Sequence, residues 1–167
     1  LVPGRALEVV LKPSETDTLR LVGYYGPSAN TRSGEKDAIL KAVFEARTDS
    51  TYYFGDWNAL TEIGCTTSES PRLDPILTKW VKEKGLVDPW RHVHPEKYGF
   101  TTVTKTQNGT TLSRLDRLYL PHSALGTVNS MRVKPFPGFD HMPLNVDLDT
   151  ARDDHRTTWK MNTSVLE

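Results

Sequence analysis

The chain has little sulfur to work with: one cysteine, Cys65, in 167 residues. A single thiol cannot close an internal disulfide, which excludes the disulfide-stapled secreted class and points to an intracellular, nuclear or cytoplasmic setting. No charge of either sign predominates, since 21 Lys and Arg balance 21 Asp and Glu. Bulk attraction to nucleic acid is therefore absent, and any such binding needs a local patch. No apolar run is long enough to cross a bilayer, so no membrane partner is expected. A glycine-rich phosphate loop, an internal repeat and a signal-peptide pattern are missing too. The first residue is Leu1, and the simplest expectation is a fragment or processed product of a longer protein. What remains is ordinary: 37% hydrophobic and 25% charged residues in 18.8 kDa, enough for one globular core.

Alternation and turn chemistry outline the elements. Leu7, Val9 and Leu11 share one strand face, as do Leu19, Leu21, Gly23 and Tyr25, with polar turn residues 13–17 between; this predicts a hairpin. Ser33 is placed to cap a helix with the stripe Ile39, Ala42, Val43 and Ala46. Thr51-Tyr52-Tyr53-Phe54 reads as a short strand running into Gly55-Asp56-Trp57-Asn58. Asp74-Pro75 starts a second helix, buried through Ile76, Leu77, Trp80 and Val81 and stopped by Gly85. Strands are expected over 112–120, 127–133 and 142–148, with Asn108-Gly109 as a hairpin turn. From Asp149 onward the chain is polar and is expected to leave the core. Strands and helices in this order suggest a layered α/β domain over 1–148 and a linker and tail over 149–167.

Three polar clusters sit where strands end. Asp56 and Asn58 are two positions apart, so in an extended segment a carboxylate and an amide share a face; an Asx-turn closing the strand is the plainer reading. In Ser113-Arg114-Leu115-Asp116, Asp116 has the parity of Leu118 and Leu120 and is expected to point inward, where it needs a histidine or arginine; an exposed strand of mixed charge is the equal alternative. Asp140-His141 precedes the last strand, and adjacent strand residues point apart. Asp116 is then the best partner for His141, a pairing suited to acid–base work; a turn is the plainer reading. His92 and His94 read as solvated loop residues, and Cys65 as a packed or inert thiol.

Taken in order, Tyr24-Tyr25-Gly26-Pro27, Gly55-Asp56-Trp57-Asn58, Ser113-Arg114-Leu115-Asp116 and Asp140-His141 resemble the endonuclease/exonuclease/phosphatase superfamily. The likeness is strongest to the apurinic-type endonuclease domains of non-LTR (LINE-type) retrotransposons. The segment Trp159 to Leu166 also resembles the stretch directly C-terminal to that domain in retrotransposon polyproteins. The resemblance implies a four-layer α/β sandwich, incomplete at its N-terminus, with two mixed sheets face to face. It implies a Mg2+-dependent (or Mn2+-dependent) hydrolase that nicks DNA. Asp56 would activate water, Asn58 and Tyr25 would contact the phosphate, and His141, oriented by Asp116, would stabilise the transition state. Asp140 would hold the metal, while Thr101 and Ser113 would line the substrate site. Family members also carry an Asn-bearing and a Glu-bearing strand ahead of the matched region, with no counterpart here, and Phe139 stands where the family has a small polar residue. The alternative is an inactive remnant serving as a binding module. An exposed sheet edge or apolar face would then meet an N-terminal segment or a second copy.

Overall fold

The computed structural model describes residues 2–12, 15, 17–45, 50–107 and 109–149. The tail 150–167, with the Trp159 to Leu166 segment, lies outside them, as do Ala46, Asn108 and parts of the first turn. β1 (Ala6–Leu11) and β2 (Leu19–Tyr25) form the expected antiparallel hairpin. α1 (Ser33–Glu45) then crosses over to β3 (Thr51–Asp56), which lies parallel to β2, as a parallel pair requires. After α2 (Pro75–Glu83), β4 (Leu86–Val87) and α3 (Pro89–Val93) come β5 (Thr102–Thr106) and β6 (Gly109–Ser113), which pair with each other. β7 (Asp116–Pro121) completes a mixed five-stranded sheet ordered β1-β2-β3-β7-β4, and β8 (Val128–Val133) and β9 (Leu144–Leu148) form a separate antiparallel pair.

Each face of the five-stranded sheet has its own core. Val22, Tyr24, Tyr53 and Tyr119 face the helices and pack on Leu40, Val43 and Phe44 of α1 and Leu77 and Trp80 of α2. Tyr52, Leu118 and Leu120 face the other way, onto Met131 of β8 and Leu144, Val146 and Leu148 of β9. Two sheets thus lie face to face, with α1 and α2 outside the larger one. Asp74 caps α2 by accepting from the N–H groups of Ile76 and Leu77, and its second oxygen takes the buried Lys36 ammonium. A cap of this kind contributes about 1 kcal/mol.

Several expectations need correction. The first helical hydrogen bond runs from Lys36 N–H to Arg32 C=O, so Arg32 holds the cap place and Ser33 already lies in the helix. The buried stripe of α1 is Lys36, Leu40, Val43 and Phe44, with Ala42 exposed, because the larger Leu and Phe side chains fill the space over the sheet better than alanines. The span 112–120 is two strands. At Arg114 and Leu115 the backbone bonds leave the sheets for the Cys65 carbonyl, the Thr101 hydroxyl and the Trp57 N–H, which lets the chain pass from one sheet to the other. β4 and α3 are additions to the expected elements, although Asp88-Pro89 repeats the Asp-Pro start of α2, with Asp88 accepting from Trp90 N–H.

Candidate active site

Tyr25, Asp56 and Asp116 form one ladder row across β2, β3 and β7: Tyr25 pairs with Asp56, and Asp56 with Asp116. By the period-two rule they share the inner sheet face with Tyr52, Leu118 and Leu120. Each strand is thus apolar along its length and turns polar at the same end. That end is where the parallel strands β2 and β3 finish, the usual location of binding sites in α/β sheets.

His141 reaches the row from the segment ahead of β9. Its Nδ1 lies 2.9 Å from Asp116 Oδ2. A carboxylate can only accept, so Nδ1 carries the proton and Nε2 stays available on an imidazole that is 41% exposed. Thr101, fully buried, secures both partners. Its hydroxyl oxygen accepts from the N–H groups of Leu115 and Asp116, at 3.1 and 3.0 Å, and its carbonyl accepts from Met142 N–H at 2.7 Å. Thr101 therefore supports the Asp116–His141 pair from behind. Ser113 is half-buried and shares a hydroxyl hydrogen bond of 3.0 Å with Thr66. Asp140 is exposed, and its carbonyl accepts from Val103 N–H.

The Gly55-Asp56-Trp57-Asn58 turn is tightly held. Asp56 Oδ1 accepts from Asn58 N–H at 2.9 Å, so the Asx-turn is real and coexists with the convergence on the row. Asn58 sits at φ +48°, and its side-chain amide donates to Gly26 C=O at 2.9 Å. A Cβ at Gly26 would lie 2.2 Å from the Trp57 carbonyl, so only glycine lets the two loops meet. Burial pushes the Asp56 carboxyl above its usual range; the Asn58 N–H opposes this and Asp116 adds to it. Such a carboxylate holds a proton more readily than a free one, which suits a base.

The described residues contain no group of three or more His, Cys, Asp or Glu that could hold a metal ion. They do not fit a self-contained metal centre.

Sequence reasoning missed the buried layer beneath the site. Arg114 hydrogen-bonds Asp88 and Glu62, and its Nη2 lies 3.2 Å from Cys65 Sγ. Arg91 joins the same cluster through Glu62. Arg117, also buried, donates to Ala59 C=O at 2.7 Å, while Trp57 Nε1 donates to Arg117 C=O. The Asp56–Ala59 loop is thus tied to β7 from both sides. Cys65 is packed, as expected, but against two guanidinium groups from distant positions. His94 is no solvated residue: Nε2–H donates to Met131 C=O at 2.8 Å and the ring meets Trp90.

No protein-family model matches the chain. A Xenopus laevis protein described as the transposon TX1 uncharacterized 149 kDa protein is 24% identical over 172 residues, covering 100% of this chain and 13% of its own length. Among solved structures, the endonuclease domain of TRAS1, a telomere-specific non-LTR retrotransposon, superposes with a TM-score of 0.68 at 18% identity, over 86% of this chain and 63% of that one. The 3′ phosphatase NExo from Neisseria, bound to a product DNA hairpin, gives 0.65 at 17% identity, over 87% and 65%. An AP endonuclease from Archaeoglobus fulgidus gives 0.62 at 17%, over 78% and 62%. The chain spans less than two thirds of each of these. The fold is the α/β sandwich of the endonuclease/exonuclease/phosphatase type, and the resemblance carried by the four motifs agrees with it.

Proposed function

We propose that this chain carries the phosphate-cleaving end of a DNA endonuclease of retrotransposon origin. The observation that supports this reading is the His141–Asp116 pair, 2.9 Å apart and in register with Asp56. Phosphodiester hydrolysis needs a deprotonated water in line with the leaving oxygen and relief of charge on the phosphoryl oxygens. Asp56 takes the proton of that water. His141, its Nδ1–H held by Asp116, turns Nε2 toward the phosphorane, where the imidazolium form stabilises the growing charge. Asn58 keeps one amide hydrogen and its oxygen beyond the bond to Gly26, and with the Tyr25 phenol it contacts the phosphate. Placed proton transfer of this kind contributes about 10²–10⁴-fold.

By resemblance, magnesium or manganese would be held by Asp140 together with substrate oxygens and would supply charge neutralisation; Mg2+ commonly rests on one or two carboxylates plus substrate oxygens. The reading is tested by nicking of supercoiled plasmid in Mg2+, with and without chelator. Nicking that disappears in His141→Ala and Asp56→Ala supports it, and nicking that survives in both overturns it.

A second reading, a binding module without catalysis, is favoured by one observation. On the inner face of β1–β3, Leu7, Val9 and Phe54 are exposed. We propose that further polypeptide, an N-terminal segment or a second copy, covers this row. Light scattering that finds a monomer at high concentration, with no binding of a hydrophobic dye, would count against it.

A further inference from the structure

Phe136 and Phe139 have no part in the site described above, yet they stand beside it. The loop from β8 to β9 is closed at its neck by Lys134 N–H donating to Pro143 C=O at 3.1 Å. Its returning arm is fixed to Thr101 and β5 through Met142 N–H to Thr101 C=O and Val103 N–H to Asp140 C=O. Between neck and arm the tip Pro135-Phe136-Pro137-Gly138-Phe139 projects. The two rings touch, 4.9 Å between centroids and 47° between planes, and are 52% and 66% exposed. Single exposed apolar residues are ordinary. A touching aromatic pair on a rigidly anchored tip is different, because leaving such area wet costs about 25 cal/mol per Å².

Position identifies the occupant. Phe139 is two residues from His141, so their Cα atoms are at most about 7 Å apart. The tip therefore lies within reach of the nucleotides flanking a phosphate held by His141. Pro135 of the tip also lines a largely apolar cavity of about 810 Å³, to which Lys97 and Arg132 bring positive charge. Aromatic faces beside cationic side chains match the chemistry of single-strand binding, in which rings stack on bases and cations follow the backbone. A chain with no net charge has little bulk attraction to DNA, so stacking supplies affinity that salt does not screen.

We infer that Phe136 and Phe139 form a stacking contact for an unpaired nucleobase next to the scissile phosphate. The site then prefers single-stranded or locally opened DNA over closed duplex. This rests on the DNA-cleaving reading of the His141 end.

The test uses the full chain with chelator present, so that cleavage does not run. Fluorescence anisotropy compares a labelled oligonucleotide with an unpaired loop against the same sequence fully paired. The double variant Phe136→Ala, Phe139→Ala is expected to bind the opened DNA about tenfold or more weakly. Its slope of log affinity against log salt should match the parent's, since no phosphate contact is removed. The double variant Phe136→Tyr, Phe139→Tyr keeps the rings and should bind as the parent does. Irradiation of an oligonucleotide carrying 5-iodouracil in the unpaired loop should crosslink it to Phe136 or Phe139. Equal binding of opened DNA by the parent and the alanine variant overturns the inference, as does a crosslink confined to other residues. So does a parent that dimerises and a variant that does not, at unchanged DNA affinity; that result makes the rings a protein interface. Plasmid nicking separates the two claims. His141-dependent nicking with an indifferent alanine variant defeats only the stacking contact, whereas a parent that neither nicks nor binds DNA defeats the site reading as well.

Discussion

Two carboxylates, Asp116 at the start of β7 and Asp88 just after β4, each take a basic partner from far along the chain, and they do opposite things. Asp116 meets His141, whose imidazole is partly open to solvent and keeps Nε2 available for a ligand. Asp88 meets the fully buried Arg114 under the site; there burial, the largest single influence, would lower the guanidinium's pKa, but Asp88 and Cys65 together outweigh it and the net shift is upward. A cation that never titrates makes a fixed support, and an imidazole at the surface makes a working part. The surrounding carboxylates divide in the same way. Burial holds Asp56 above its usual range. Glu62 is also pushed up by burial, but hydrogen bonds from Arg91 and Cys65 bring it below the usual range. The reactive end keeps a carboxylate ready to take a proton, and the support keeps one ready to refuse it.

The strongest test of this division is Asp88→Ala. It leaves the buried Arg114 with Glu62 as its remaining carboxylate and takes the Asp88 carboxylate, 3.9 Å away, from the buried Arg117, and should cost about 3–5 kcal/mol of stability, read as a large fall in Tm. At the other pair, His141→Ala should lower nicking by about 10²–10⁴-fold with Tm almost unchanged; equal loss of stability in both variants would erase the distinction.

Thr101→Val keeps the volume and removes the acceptor for two backbone N–H groups, each costing about 1–3 kcal/mol if left unmet. It should lower both Tm and nicking, because this hydroxyl links support to site. The smallest effect is a matched pair of thermal titrations. Asp56 is raised on folding, so its contribution to stability is present at acid pH and lost as pH rises through the folded pKa. Asp56→Asn should therefore raise Tm modestly at pH 7, and the gain should vanish below the ordinary aspartate range. Glu62 is lowered on folding, so Glu62→Gln should reduce Tm at pH 7 and converge on the parent as pH falls through the folded pKa. Parallel curves for the two variants would break the comparison at its finest point.

Much of the fold is legible in the residues alone. The Asp74-Pro75 start, the Thr51 to Asp56 strand and the β1–β2 hairpin come from caps, β-branched runs and turn residues, all of which act within a few positions. Asp116 is readable as inward-facing because its parity matches Leu118 and Leu120. The α1 stripe is easily misplaced because alanine fits either face of a helix, and only the sheet beneath selects Leu40 and Phe44. The break at Arg114 and Leu115 is invisible because alternation continues through it while the hydrogen-bond partners change.

What the sequence determined by itself is local: which segments are strands and helices, which side of each strand is apolar, and that polar residues gather at strand ends. The Asp116–His141 pair, 25 residues apart, is open to expectation, because the imidazole needs a carboxylate and Asp116 is the inward-facing one. The buried pairs come from the tertiary structure alone: Arg114 lies 26 residues beyond Asp88 and 49 beyond Cys65. Periodicity records the face a residue occupies on its own strand and carries no information on which distant strand comes to lie opposite. That choice is made by register across the sheet, where packing both apolar faces at once brings Tyr25, Asp56 and Asp116 into a single row.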